Sequence, residues 1–165
     1  MRLFVAVEIP ADIKEKIAKL GEEIKQDGIV AVKPENMHLT LKFIVEGDPD
    51  KTIEKLSLVR FRRINCKVHK VGVFPNENYI KVVWAGVDGI EELAEKVHEA
   101  LGKERFSGHA TIARVKRKVD LREFLEKHRE DEFGEFQVSE FHLIRSELGP
   151  GGPTYTTVAS FEANE

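Results

Sequence analysis

Cysteine is nearly missing from these 165 residues: Cys66 stands alone. A single thiol closes no internal disulfide and builds no thiolate metal site. Glutamine is scarce as well, at Gln26 and Gln137 only. Beside a charged fraction of 33%, that scarcity reads as a thermophile-like bias, with a plain solvated surface as the alternative. No apolar run approaches the ~18–20 residues that span a bilayer. Met1-Arg2-Leu3-Phe4-Val5 opens directly on a strand pattern and lacks the layout of a signal peptide. The expectation is a cytoplasmic protein with no membrane partner. Net positive charge is also lacking, the balance being −3. No global field draws in nucleic acid, so any RNA site is a local basic cleft that grips a short stretch or an end.

What is present is a chain rich enough in apolar residues, at 41%, to pack a core. Residues 2–9 alternate, with Leu3, Val5, Val7 and Ile9 on one face, which predicts a strand. Pro10 opens a helix whose Ile13, Ile17, Leu20 and Ile24 repeat at helical spacing, with Gly28 as its stop. Strands are expected at 37–45 and 63–73, separated by a helix at 50–60. The order then repeats: strand 79–87, amphipathic helix 89–102, strand 109–115, short helix 121–128, long strand 135–146. A turn at Gly149-Pro150-Gly151-Gly152-Pro153 leads to a last strand at 154–162. The reading is one bilobed α+β domain over 1–165, with approximate repeats at 1–75 and 76–165.

The third element of each repeat opens on a matching tetrapeptide, His38-Leu39-Thr40-Leu41 and His109-Ala110-Thr111-Ile112. Residues i and i+2 of a strand share a face. His38 therefore projects with Thr40, and His109 with Thr111, while the apolar neighbours point into the core. A polar pair on an apolar strand is costly unless it faces water, a ligand or a partner. An ordinary strand histidine accounts for one such motif. Two in matching contexts imply a shared cleft.

Two imidazoles and two hydroxyls are what phosphodiester hydrolysis needs. A neutral ring accepts a proton from water, and a protonated ring donates one to the leaving alkoxide. The threonine hydroxyls bind phosphate oxygens. No HxH, HExxH or carboxylate cluster surrounds the motifs, so no metal and no cofactor are expected. Lys42 shares the face of His38 and Thr40 and is a candidate phosphate contact. Arg114 falls off the His109 face by alternation, and only a bulge or the strand end turns it into the cleft. Arg114, Lys116, Arg117 and Lys118 form a basic run that can track an RNA backbone, although most such runs are solvated. Phe74 and Tyr155 are candidates for stacking on a base, and Phe4 for the cleft floor. His69, His98, His128 and His142 are read as structural.

The sequence resembles the RNA 2′,3′-cyclic phosphodiesterase family, long labelled 2′-5′ RNA ligases, within the 2H phosphoesterase superfamily. The likeness runs through RLFVAVEIP, PENMHLTLKF, VGVF, VVWAGV, HATIAR and GPTYT, nearly the whole chain. It implies a bilobed duplicated unit, with two antiparallel sheets facing a central cleft and helices on the outside. It implies hydrolysis of a 2′,3′-cyclic phosphate RNA end to a 2′-phosphate, with His38 as proton donor and His109 as proton acceptor. The expected partner is RNA bearing such an end, tRNA fragments among the candidates, and the expected state is a monomer. Ligation to a 2′,5′ linkage by the reverse reaction, or RNA-end binding without turnover, are the alternatives. Ala31, Val45 and Gly108 depart from the family's usual Trp, Gly and Pro, which bears on substrate fit and leaves the motifs intact.

Overall fold

In the computed structural model, which describes residues 1–164, β1 (Leu3–Glu8) leads to α1 (Ala11–Glu23) and a short β2 (Ile29–Ala31). A 3-10 turn (Pro34–Asn36) then opens β3 (His38–Ile44), followed by α2 (Pro49–Leu56) and β4 (Ile64–Asn76). The second series is β5 (Tyr79–Asp88), α3 (Glu91–Leu101), β6 (His109–Val115), α4 (Arg122–His128), β7 (Glu132–Val138), β8 (Glu140–Gly149) and β9 (Gly152–Glu162). Among the described residues no helix is long and apolar enough to cross a membrane.

The helices form where apolar residues recur on one side. Ile13, Ile17 and Leu20 of α1 and Leu93, Ala94 and Val97 of α3 are buried. The Asp48 carboxylate accepts hydrogen bonds from the amides of Asp50 and Lys51, which caps α2, with Pro49 at its first position. α1 stops at Glu23, before Gly28, and the left-handed Gly28 (φ 88°) turns the chain into β2 instead. At three residues, β2 is too short to show an alternating pattern. The strand expected at 135–146 is two strands. Val138 and Phe141 both face the core, three positions apart, and that spacing breaks the period of two at Ser139.

All strand pairs are antiparallel, in the order β7-β4-β5-β6-β3-β1-β8-β9, with β2 on the edge of β6. Where two separate sheets are expected, the strands form one hydrogen-bonded path. Its centre is a single residue pair, Leu39 of β3 with Ala110 of β6. The order β4-β5-β6-β3-β1-β8 reads symmetrically outward from that pair. The fourth strand of each series has crossed over: β4 lies beside β5, and β8 beside β1. A cut between residues 75 and 76 thus falls at the β4–β5 hairpin, inside one half of the sheet. The helices cross over in the same sense, α1 packing on β6 and α3 on β3. One core runs through both halves, taking Val5, Leu39 and Leu41 together with Ala110 and Ile112. Phe4, Ala6 and Ile144 form a separate small cluster on the opposite face.

Each motif strand carries a β-bulge at the same place. Against β1, Lys42 pairs with Val5 and Thr40 with Ala6, so Leu41 is the extra residue. Against β5, Ala113 pairs with Val83 and Thr111 with Trp84, so Ile112 is the extra residue. A bulge leaves its residue outside the ladder, and a buried carbonyl there needs another donor. Val32 N–H supplies it to Ile112 O at 2.9 Å. The buried His98 supplies it to Leu41 O through Nε2 at 2.8 Å. This gives a structural histidine a definite task. Replacing His98 by Leu removes the donor and is expected to cost about 1–3 kcal/mol. The urea midpoint of H98L checks this, and an unchanged midpoint would contradict it.

Candidate active site

Between the two halves lies a cleft of about 360 Å³, with His38, Thr40, His109 and Thr111 all in its wall. The Leu39–Ala110 rung places them. One step outward in antiparallel register sets His38 opposite Thr111 and Thr40 opposite His109. Directly opposed side chains stand about 5 Å apart and the diagonal pair about 7–8 Å. Each histidine thus lies across from the other strand's threonine, and both rings face the cleft. The ladder between these strands is one rung long, so they part on either side and open the cleft.

The two rings are held differently. His109 Nδ1 lies 2.8 Å from the Ser107 carbonyl oxygen. A carbonyl only accepts, so Nδ1 carries the hydrogen and Nε2 of the neutral ring keeps its lone pair. Burial pushes the His109 pKa below the ordinary imidazole value, and the Arg114 charge pushes the same way, against the Ser107 bond. The Phe74 ring stands edge-on at 5.1 Å and supplies part of that burial. His38 has an acceptor at both nitrogens: Asn36 O lies 3.3 Å from Nδ1, and Glu8 Oε1 lies 3.1 Å from Nε2. Making both bonds takes both ring protons, so this setting accommodates the imidazolium.

The paired bulges decide the neighbouring residues. An extra residue at Ile112 resets the alternation, so Ile112 and Ala113 are both buried and Arg114 turns into the cleft. Its candidacy as a phosphate contact keeps its geometric basis. The same event at Leu41 turns Lys42 away, which corrects its expected place beside His38. Lys42 Nζ lies 3.7 Å from Glu104 Oε1, outside the cleft wall. Phe43 takes its place, 60% exposed and lining the cleft. Phe43 stands five residues after His38 as Arg114 stands five after His109, so the shared offset was the available signal. Glu8 was also missed, because its approach to His38 depends on which strands pair.

The aromatic candidates divide. Phe4 is buried under the cleft, its ring 5.8 Å from that of His38. Tyr155 lines the cleft, 4.9 Å from Phe4 and 5.6 Å from His38. Phe74 leans on Trp84 and His109 and lies outside the cleft wall. Ala31 lines the cleft, which locates its departure from the family pattern in the cleft wall. The remaining histidines have partners elsewhere: His69 with Asp88 at 2.5 Å, His128 between Glu23 and Asp131, and His142 with Ser160 at 2.7 Å. Among the described residues no three His, Cys, Asp or Glu side chains cluster to hold a metal ion.

The charge of Arg114 depresses the His109 pKa, so Arg114→Gln is expected to raise the ring's titration midpoint toward the ordinary imidazole value. Proton NMR titration of His109 in both proteins reads the shift. A midpoint that stays put or falls places Arg114 too far away to matter.

Residues 7–84 match the family model described as LigT-like phosphoesterase. A protein of Methanocaldococcus jannaschii named RNA 2′,3′-cyclic phosphodiesterase is 41% identical, over 96% of this chain and 98% of its own length. An Archaeoglobus fulgidus protein of the same name is 39% identical, over 98% of this chain and 100% of its own. Among solved structures, a Thermus thermophilus protein superposes with a TM-score of 0.83 at 28% identity, covering 100% of both chains. Escherichia coli LigT, crystallised with ATP, shares the fold with a TM-score of 0.78 at 23% identity, over 99% of this chain and 98% of that one. By sequence likeness along nearly its whole length, the chain is a phosphodiesterase and belongs to the LigT-like phosphoesterase family.

Proposed function

We propose that this protein opens the 2′,3′-cyclic phosphate at an RNA end to a 2′-phosphate, with His109 as base, His38 as acid and no metal ion. The observation that carries the reading is the unequal hydrogen bonding of the two histidines. His109 donates Nδ1–H to Ser107 O, which leaves Nε2 as the acceptor of the neutral ring, and His38 has an acceptor at both ring nitrogens. The names of the relatives supply the substrate class.

The reaction follows from that asymmetry. Water approaches phosphorus on the His109 side and gives a proton to Nε2 as the new P–O bond forms. The P–O3′ bond breaks, and the 3′ oxygen takes the proton from His38 Nε2. In the free enzyme that proton is donated to Glu8, whose side chain is half exposed and free to yield its place to substrate. Charge builds on the non-bridging oxygens, and the donors set around them are Thr40, Thr111 and Arg114. Solvent exchange then returns a proton to His38 and takes one from His109. Phe43 and Tyr155 offer ring faces to the base.

The test is hydrolysis of a cyclic-phosphate oligonucleotide in excess chelator, with products resolved by phosphorus NMR. The expected result is undiminished turnover and a 2′-phosphate. Loss of activity restored by one divalent ion, or a predominant 3′-phosphate, would overturn the proposal.

A further inference from the structure

Beyond the cleft, a groove of about 470 Å³ runs between the start of β5 and the chain leaving β6. It shares Val82 and Arg114 with the cleft, so the two adjoin. Lys81, Lys116, Arg117 and Lys118 line it, and no acidic side chain does among the described residues. In a chain with a net charge of −3, that is a strong local concentration of one sign. The acids flanking the groove segments in sequence are committed to arginines, Glu77 to Arg129 and Asp120 to Arg122, and Asp27 pairs with Arg117. The pairing of Arg117 leaves three lysines, with Arg114 at the junction with the cleft, as the groove's positive lining. Tyr79, 58% exposed, lies at its end with Lys81 Nζ 5.3 Å from the ring centroid.

We infer that this groove holds the RNA strand leading up to the reactive end, so the substrate is an oligonucleotide and not a free cyclic mononucleotide. The inference rests on the reading of the cleft as the cyclic-phosphate site. A polyanion entering the cleft at Arg114 meets the lysines one after another along its backbone. Each phosphate they neutralise releases condensed counterions, and an exposed aromatic ring offers any base a surface to stack on. A single-stranded nucleic acid uses both features, while an acidic peptide uses only the charge.

Two measurements on wild type and the K81Q/K116Q/K118Q variant test this. All three side chains are exposed and lie outside the cleft wall, so their neutralisation leaves the catalytic groups in place. The first is fluorescence anisotropy with a labelled 2′-phosphate oligonucleotide of about six residues, a length in the range one binding fold covers. The log–log salt slope is expected to be shallower by about two in the variant, with affinity down about tenfold or more. The second compares kcat/KM for the cyclic-phosphate oligonucleotide and for a 2′,3′-cyclic mononucleotide. Wild type favours the oligonucleotide. The variant loses that preference while its mononucleotide rate holds. Equal binding and salt slope in the two proteins would overturn the inference. So would a wild type indifferent to length, or competition by polyglutamate as effective as by RNA. A wild type that turns over neither substrate refutes the cyclic-phosphate reading instead, and the anisotropy still decides whether the groove holds RNA.

Discussion

Leu39 and Ala110 form the only rung between β3 and β6, and the cleft is built outward from it. A longer ladder would zip the two motif strands together and close the space between the histidines. No rung at all would leave their separation to the helices. With one, each histidine stands opposite the other strand's threonine, and both backs are sealed into a common core through Leu39, Leu41, Ala110 and Ile112. The exchange of β4 and β8 between the halves, and of α1 and α3 across them, ties the rung down from both sides. The spacing of the two motifs is thereby set by rigid elements and not by loops.

A symmetric scaffold presents an asymmetric task, since acid and base must start in opposite protonation states. The difference arises just outside the two matching tetrapeptides. Glu8 at the end of β1 meets His38, whereas the corresponding ring nitrogen of His109 has no carboxylate partner among the described residues. At the matching bulge offset, Arg114 faces the cleft on one side and Phe43 on the other. One side thus combines a cation with a ring whose pKa is pushed down, and the other an aromatic residue with a ring whose two nitrogens both face acceptors.

Much of this was legible in the residues. Period-two alternation placed His38 with Thr40 and His109 with Thr111, and recurring apolar residues located α1, α3 and α4. Alternation failed where the backbone departs from it. The bulges at Leu41 and Ile112 have no signature in side-chain type, because Leu and Ile suit the core whether or not a residue is skipped. Lys42 was misplaced and Phe43 overlooked for that one reason. The join at Leu39–Ala110, the crossing of β4 and β8, and the meeting of Glu8 with His38 are long-range pairings that a local pattern does not encode. His98 shows the same limit, since its burial fitted a boundary residue and its bond to Leu41 O needed the fold.

The central claim is the division of labour between His38 and His109, and the dependence of rate on pH tests it most directly. With chemistry limiting, kcat/KM against pH should be a bell whose limbs belong to the coupled pair. Its acidic limb should lie low, because burial and Arg114 hold the His109 pKa below the ordinary imidazole value. His109→Ala should abolish the acidic limb and His38→Ala the basic one, each at a loss of about 10²–10⁴-fold at the optimum. A flat wild-type profile, or the two limbs vanishing in the opposite variants, would contradict the account.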